Sequence, residues 1–317
     1  MRLTIVFCVL SFVIDAFSLP AAKGSKRRYY IRAETIVWDY APIITTNLLG
    51  EKINVQTVYN RTLYKGYTDA TYKIPVETSA SHGDLGPVIR AEVGDTITVH
   101  FHNGANFPVT MHPHGVQYEQ VHEGMMIPIH PGNSTVYIWN ALPRSGPTEG
   151  ANSTLWAYHS HVHESDIYHG LIGPIVIYAQ GQMDKAGNEL FLKSIIDIVR
   201  DDDDEGNKES ATSTTELFSI NGYIYGNLPL ITLPFGQKVT WFLFSFGDEA
   251  DIHAMHWHGN VVRTDRNKFV DVVHLFPASF ETVVMIPDTI GHFMYHCHTL
   301  EHYEMGMYSF YNVSIVL

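Results

Sequence analysis

The chain has 317 residues, with 20 lysines and arginines against 33 aspartates and glutamates, for a formal net charge of −13. That balance argues against nucleic acid as a partner and is compatible with a cationic one. A hydrophobic content of 45% excludes a disordered chain, and the length points to two domains.

In chain order, Arg2, the mostly apolar residues 3–14 and the small residues Ala16 and Ser18 read as a secretory signal over 1–18. The apolar run is too short to span a bilayer, and no later stretch reads as a span. With the chain stopping at Leu317, no C-terminal membrane anchor is expected. Sequons at Asn60, Asn133, Asn152 and Asn312 add to the expectation of a secreted glycoprotein. Residues 23–28 form a basic run that reads as a solvated leader before the first strand. Residues 96–101 alternate Ile97, Val99 and Phe101 with Thr98 and His100, the pattern of a half-buried strand. Residues 239–244 form a more continuous apolar strand. No segment has sustained helical periodicity, so an all-β sandwich class follows.

The chain also repeats itself. VGDTITVHFHN, TMHPHGV, WAYHSH and HGLIGPIVIY in the first half are answered in order by FGQKVTWFLFS, AMHWHGN, FMYHCH and EMGMYSFYNV in the second. Two copies of one sandwich are the simplest account, over residues 29–180 and 189–317, with the polar stretch 180–188 between them. The acidic run 201–205 reads as a solvated loop, with calcium or cation capture as a lesser alternative.

Histidine carries the chemistry. Of 19 histidines, eight stand as His-x-His pairs in the repeated motifs: His112/His114, His159/His161, His256/His258 and His296/His298. In a strand, residues i and i+2 share a face, so each pair offers two imidazoles on one side. Two pairs come from each repeat, and bringing the repeats together would assemble a set suited to several copper ions. One such pair means little, since a structural or surface histidine is its usual explanation.

Cysteine sharpens the reading. Of two cysteines, Cys8 falls in the signal, leaving Cys297 with no internal partner. Cys297 sits between His296 and His298, so a strand would turn its sulfur to the opposite face. His253, Cys297, His302 and Met307 supply two imidazoles, a thiolate and a thioether, the donor set of a blue electron-transfer copper with a long axial Met. An electron arriving at that copper would have a short covalent route through Cys297 to the imidazoles behind it. Four electrons delivered there would reduce dioxygen to water, and the protons required call for a carboxylate nearby.

At these residues the chain resembles the multicopper oxidases, and more narrowly the ceruloplasmin and hephaestin group, which shares its A-type domains with coagulation factors V and VIII. The stretches YYIRAETIVWDYAP, YTDATY, GPVIRAEVGDTITVHFHN and SINGYIYGNLP and the HxHG and HCHxxxHxxxGM motifs carry the resemblance over nearly the whole mature chain. It implies two tandem Greek-key cupredoxin sandwiches. It also implies a type 2 copper on His112 and His256, two type 3 coppers on His114, His159, His161, His258, His296 and His298, and one type 1 copper on His253, Cys297, His302 and Met307. Ser160 and Val109 stand where Cys297 and His253 stand in the second repeat, so the first repeat should hold no type 1 copper.

The six-domain members of the group are longer. Two-domain members of the wider family form homotrimers with copper clusters between subunits, and that arrangement is expected here. Glu301 matches an acidic position of the group's iron-oxidising site, and Glu123 resembles one that relays protons to the cluster. The other positions of the iron site fall near Ser213 and Phe218, with Glu216 as a substitute, and Glu249 and Asp251 are expected to attract cations or to be solvated. The expected activity is oxidation of ferrous iron, placed ahead of laccase-like oxidation of phenols or aromatic amines. A non-enzymatic copper-binding A domain is a further alternative, and a copper nitrite reductase fits less well because all eight cluster positions are filled. His122, His130, His163, His169, His274 and His292, with Glu164 and Asp166, are expected to be surface or supporting residues, and Trp257 to pack in the core.

Overall fold

A computed structural model describes residues 24–184, 193–202, 217–246 and 252–315. The expected signal with Cys8, residues 185–188 of the 180–188 connection, residues 203–205 of the acidic run, Ser213, Glu216, Glu249 and Asp251 lie outside the described residues. Among the described residues no helix is long and apolar enough to cross a membrane.

The first half contains β1 (Lys26–Asp39), β2 (Val58–Tyr67), β3 (Ile89–Glu92), β4 (Thr96–Asn103), β5 (His112–Pro113), β6 (Gln117–Tyr118), β7 (Ser134–Asn140), β8 (Ser153–His159), the short α1 (Ser165–Tyr168) and β9 (Ile172–Tyr178). The second half contains β10 (Lys193–Asp202), β11 (Leu217–Ile220), β12 (Ile231–Pro234), β13 (Val239–Ser245), β14 (His253–Trp257), β15 (Val262–Arg263), β16 (Phe269–Val270), β17 (Val272–Leu275), β18 (Ser279–Met285), β19 (Gly291–Cys297), α2 (Leu300–Glu304) and β20 (Tyr308–Ser314).

Each half is built from two sheets. Orders β2-β1-β4-β7-β6 and β3-β9-β8-β5 make the first, and β11-β10-β13-β18-β15-β16 and β12-β20-β19-β14-β17 the second. The duplication shows in the pairing. β1 runs parallel to β4 as β10 runs parallel to β13, and β3 parallel to β9 as β12 to β20. Each half closes its own apolar core, one around Ile97, Phe101 and Trp139, the other around Trp241, Trp257 and Tyr295. The structure is thus the all-β pair of sandwiches expected.

Local chemistry explains the strands. In β4, Ile97, Val99 and Phe101 are buried and the residues between them are half-buried, the alternation of a sheet with one covered face. β13 is buried at every position because both of its faces are covered. Phe242 and Phe244 pack against Leu155 and Ala157 of β8 in a cluster shared by the two halves. The Leu155 N–H donates to Thr282 Oγ1 at 3.2 Å across the same contact.

Two expectations need correction. Lys26, Arg27 and Arg28 are not a solvated leader: they begin β1, where Arg27 Nε lies 2.6 Å from Asp95 Oδ2 and the backbone pairs with β4. Asp201 and Asp202 are the end of β10, not a loop, because their backbone is paired with Phe218 and Leu217 of β11.

Candidate metal centres

Strand register brings the second half's ligands together. β14 pairs with β19 so that His256 faces His296 and Met255 faces Cys297. Cys297 is fully buried, His296 is nearly so, and His298, just past the end of β19, is exposed. On the buried side, Cys297 Sγ lies 3.9 Å from His253 Nδ1 and 3.6 Å from His302 Nδ1, and the two nitrogens are 3.1 Å apart. A trigonal set of two nitrogens and a sulfur around one ion, with bonds of about 2.0–2.3 Å, would space its donors roughly 3.5–4 Å apart. The donor set therefore fits a copper ion once the two imidazole nitrogens, 3.1 Å apart, open by a few tenths of an ångström.

The surroundings hold this set rigid. The Ala254 N–H donates to Sγ at 3.3 Å, and the ring of Phe218 stacks on His302 with centroids 4.3 Å apart. Met307 is buried in the same core cluster, and its carbonyl accepts from the Cys297 N–H at 3.0 Å. Glu301, in the first turn of α2, is exposed beside buried His302.

On the opposite side of β19, His256, His258 and His296 bring three ligand nitrogens within 4.8 Å of one another. His258 Nε2 and His296 Nε2 are 3.2 Å apart, and the His298 ring lies 5.5 Å from that of His256. The first half repeats the layout. His112 faces His159 across β5 and β8, His114 Nε2 lies 3.0 Å from His159 Nε2, and the His112 and His161 rings are 5.1 Å apart.

Backbone carbonyls set the tautomers. His112 Nδ1 donates to Glu123 O at 2.8 Å, His159 Nδ1 to Ser160 O at 2.7 Å, His256 Nδ1 to Asp271 O at 3.0 Å and His296 Nδ1 to Cys297 O at 2.8 Å. A carbonyl can only accept, so Nδ1 carries the proton and Nε2 is left as a lone pair for a metal. Burial, reinforced by neighbouring imidazoles, lowers the pKa of His114 to about 4 and of His159 to about 3. Burial lowers His112, His258 and His296 in the same direction. These bases are neutral at pH 7, as metal ligation requires.

The glycine of each HxHG motif has a geometric cause. Gly115 has φ +75° and Gly259 φ +77°, and an added Cβ would meet the ring of Trp156 at 2.1 Å or of Phe293 at 2.5 Å.

Among the described residues the two imidazole sets are separate. The first-half rings contact one another, Tyr118, Phe246 and Phe280, the second-half rings one another and Tyr303, and among the described residues no ring contact joins the sets. His161, His258 and His298 are exposed, so each set opens at the surface. Glu123 meets the first set through its carbonyl, with its side chain half-buried. Trp257 packs in the core as expected. Asp166, expected as a surface or supporting residue, is buried: its carboxylate accepts from Ser160 Oγ at 2.5 Å and from the His163 N–H at 3.3 Å. Sequence reasoning missed Asp271, whose carbonyl orients His256. Nothing in the sequence marks it, because the contact is made by the backbone.

Comparison with known proteins identifies the family. Family models described as multicopper oxidase match residues 76–182 and 200–315. The chain is 31% identical over 95% of its length to the human ferroxidase HEPHL1 and 31% identical over 91% to human ceruloplasmin. It covers only 30% and 31% of those proteins, so it spans about a third of their length. A solved multicopper oxidase superposes with a TM-score of 0.65 at 19% identity, over 92% of this chain and 87% of that one. A copper nitrite reductase from Nitrosomonas europaea superposes with a TM-score of 0.64 at 14% identity, over 91% and 94%. At those identities the superpositions speak for the fold alone.

Proposed function

The chain belongs to the multicopper oxidase family, and from that premise we propose that it is a secreted oxidase that takes single electrons from a small reductant and reduces dioxygen to water. The balance is four electrons and four protons for each dioxygen, giving two waters. Ferrous iron is placed ahead of phenols and aromatic amines as the reductant. The observation that carries the reading is the two-sided geometry at Cys297: sulfur toward His253 and His302, flanking imidazoles toward the opposite face.

His253, Cys297, His302 and Met307 would hold a type 1 copper. His112 and His256 would hold a type 2 copper, and His114, His159, His161, His258, His296 and His298 a type 3 pair. Bound copper would supply the one-electron redox chemistry and the site at which dioxygen is held. The chain's own part is the wiring. Cys297 is bonded through the backbone to His296 and His298, and its carbonyl also accepts from His296 Nδ1 at 2.8 Å, adding a hydrogen-bonded route between the same two residues.

Glu301 stands exposed beside His302, placed to receive a cation at the end of that route. Glu123 is assigned the proton supply to the imidazoles. Because each half carries its own surface-facing set, completion of the cluster is assigned to a homotrimer in which the first half of one copy meets the second half of the next. Secretion rests on the signal read at 1–18, and glycosylation on the four sequons.

The test is steady-state oxygen uptake with ferrous iron and, separately, with an aromatic diamine, in wild type and Glu301→Ala. Selective loss with iron assigns the ferroxidase role to Glu301, whereas equal rates with both substrates and no effect of the substitution assign a laccase-like one. A colourless copper-bound protein with no oxygen uptake would refute the oxidase reading.

A further inference from the structure

The hydrogen bonds around Cys297 recur, bond for bond, around Ser160. The Cys297 N–H donates to Met307 O at 3.0 Å and the Met307 N–H to His302 O at 2.9 Å, while the Ser160 N–H donates to Leu171 O at 3.0 Å and the Leu171 N–H to Asp166 O at 2.9 Å. The Ala254 N–H donates to Cys297 Sγ at 3.3 Å, and the Thr110 N–H to Ser160 Oγ at 3.2 Å. Gly306 and Gly170 turn the chain at the same φ of +104°. The backbone thus equates Asp166 with His302 and Leu171 with Met307, beside the pairs Ser160 with Cys297 and Val109 with His253.

A carboxylate and a hydroxyl therefore occupy the places of an imidazole and a thiolate. In the second half a metal would tie together β14, β19 and the turn through α2. In the first half the corresponding segments are tied by hydrogen bonds. Thr110 N–H reaches Ser160 Oγ, Ser160 Oγ–H reaches Asp166 Oδ2 at 2.5 Å, and the His163 N–H reaches the same oxygen at 3.3 Å. Thr110 Oγ1 accepts from the His161 N–H at 2.9 Å, so the tie extends to both His-x-His segments. Asp166 is 3% exposed and Ser160 is 1% exposed, so water competes for little of this network.

We propose that Ser160 and Asp166 form a metal-free clasp that replaces the outer copper in the first half and positions His159 and His161 to bind the cluster. Both are positioning residues, acting through the backbone between the two imidazoles. The proposal rests on the reading of those imidazoles as copper ligands.

The experiment uses the full copper-loaded chain as wild type, Asp166→Ala, Asp166→Asn and Ser160→Ala. Copper per chain is measured against rising chelator, and the blue absorbance from Cys297 is the internal reference for the second half. Outer partners of metal ligands change affinity by about 10–100-fold, so Asp166→Ala should release cluster copper at a correspondingly lower chelator concentration while its blue absorbance persists. Asp166→Asn should recover most of the loss, because its amide oxygen still accepts from Ser160 Oγ. If Asp166→Ala loses the blue absorbance as well, through general unfolding, Ser160→Ala decides, since it removes only the hydroxyl. Wild-type retention of cluster copper in Ser160→Ala and in any folded Asp166→Ala overturns the clasp alone. A wild type that binds copper at Cys297 and none at the imidazoles overturns the functional reading and the clasp with it.

Discussion

Replacing Cys297 with Ser should separate the proposed outer copper from the proposed inner ones without dismantling the fold. The first half already holds a serine at the equivalent position, with the same backbone bond at 3.0 Å and the same N–H donor at 3.2 Å rather than 3.3 Å. The serine hydroxyl would therefore find a donor in the Ala254 N–H. Burying a hydroxyl in place of a thiol costs about 1–3 kcal/mol, against a stability of about 5–15 kcal/mol for a typical domain. The variant should fold. His296 and His298 stay on the opposite face of β19, so cluster copper should be retained while the outer site loses its thiolate. The expected result is loss of the blue absorbance, one copper fewer per active unit and oxygen uptake at background. Visible absorption, elemental analysis and oxygen electrode traces on one sample read all three. A variant that stays blue, or that loses every copper while remaining folded, would refute the two-sided geometry.

Sedimentation of the copper-loaded protein should give three times the chain mass, and a monomer that is both copper-loaded and active would refute the intersubunit cluster. The metal-free chain should lose stability as pH falls. Folded His114 and His159 titrate near 4 and 3, below the ordinary 6.5. Between 6.5 and about 4 the unfolded chain therefore binds protons that the folded chain does not, and stability drops over that window and is intact above it. Urea midpoints at pH 7.5, 5.5 and 4.5 check this, and a drop as large in His159→Gln as in wild type would count against it. Gly115→Ala combines a positive φ, worth about 1–2 kcal/mol, with a 2.1 Å clash on Trp156, worth about 1–3 kcal/mol more. Gly150→Ala, at φ +85° with nothing within 4 Å, should show the first cost only, and equal denaturation midpoints for the two would contradict the packing of Trp156.

What the sequence made legible was local. The period of two in a strand is enough to put His296 and His298 on one face and Cys297 on the other, and the HCH run states this directly. The continuous apolar run of β13 read as a strand, but its cause did not, because the cover on its second face comes from Leu155 and Ala157 of the other half. Asp166 reads only as a surface or supporting residue, since no partner stands at strand spacing. Its partner Ser160 is reached through a turn, and that serine looked like a lost cysteine rather than a hydrogen-bond donor. Asp201 and Asp202 looked like a solvated loop because charge was weighed and backbone pairing could not be.

The same limit applies to the eight imidazoles, which the sequence offers as one list and the fold divides into two. Each set holds facing ring nitrogens at 3.0 or 3.2 Å whose protons sit on the far side of at least one ring. A neutral His114 or His258 can place its own Nε2 proton between these nitrogens, and a metal ligated by both rings would take that proton's place. Exposed apolar side chains lie close along the chain to residues of each set. Met125, Met126 and Ile127 follow Glu123, whose carbonyl holds His112, while Val261 and Leu300 lie close along the chain to His258 and His298; all five are exposed and apolar. Apolar surface around a half-filled ligand set is what a protein interface presents before assembly. Copper and a second copy would therefore be linked thermodynamically, each stabilising the state that binds the other, so chelation of the cluster should lower the trimer fraction at fixed protein concentration. A trimer that survives complete removal of copper at the lowest measurable concentration would show that the apolar contacts suffice alone and that the imidazoles contribute nothing to assembly.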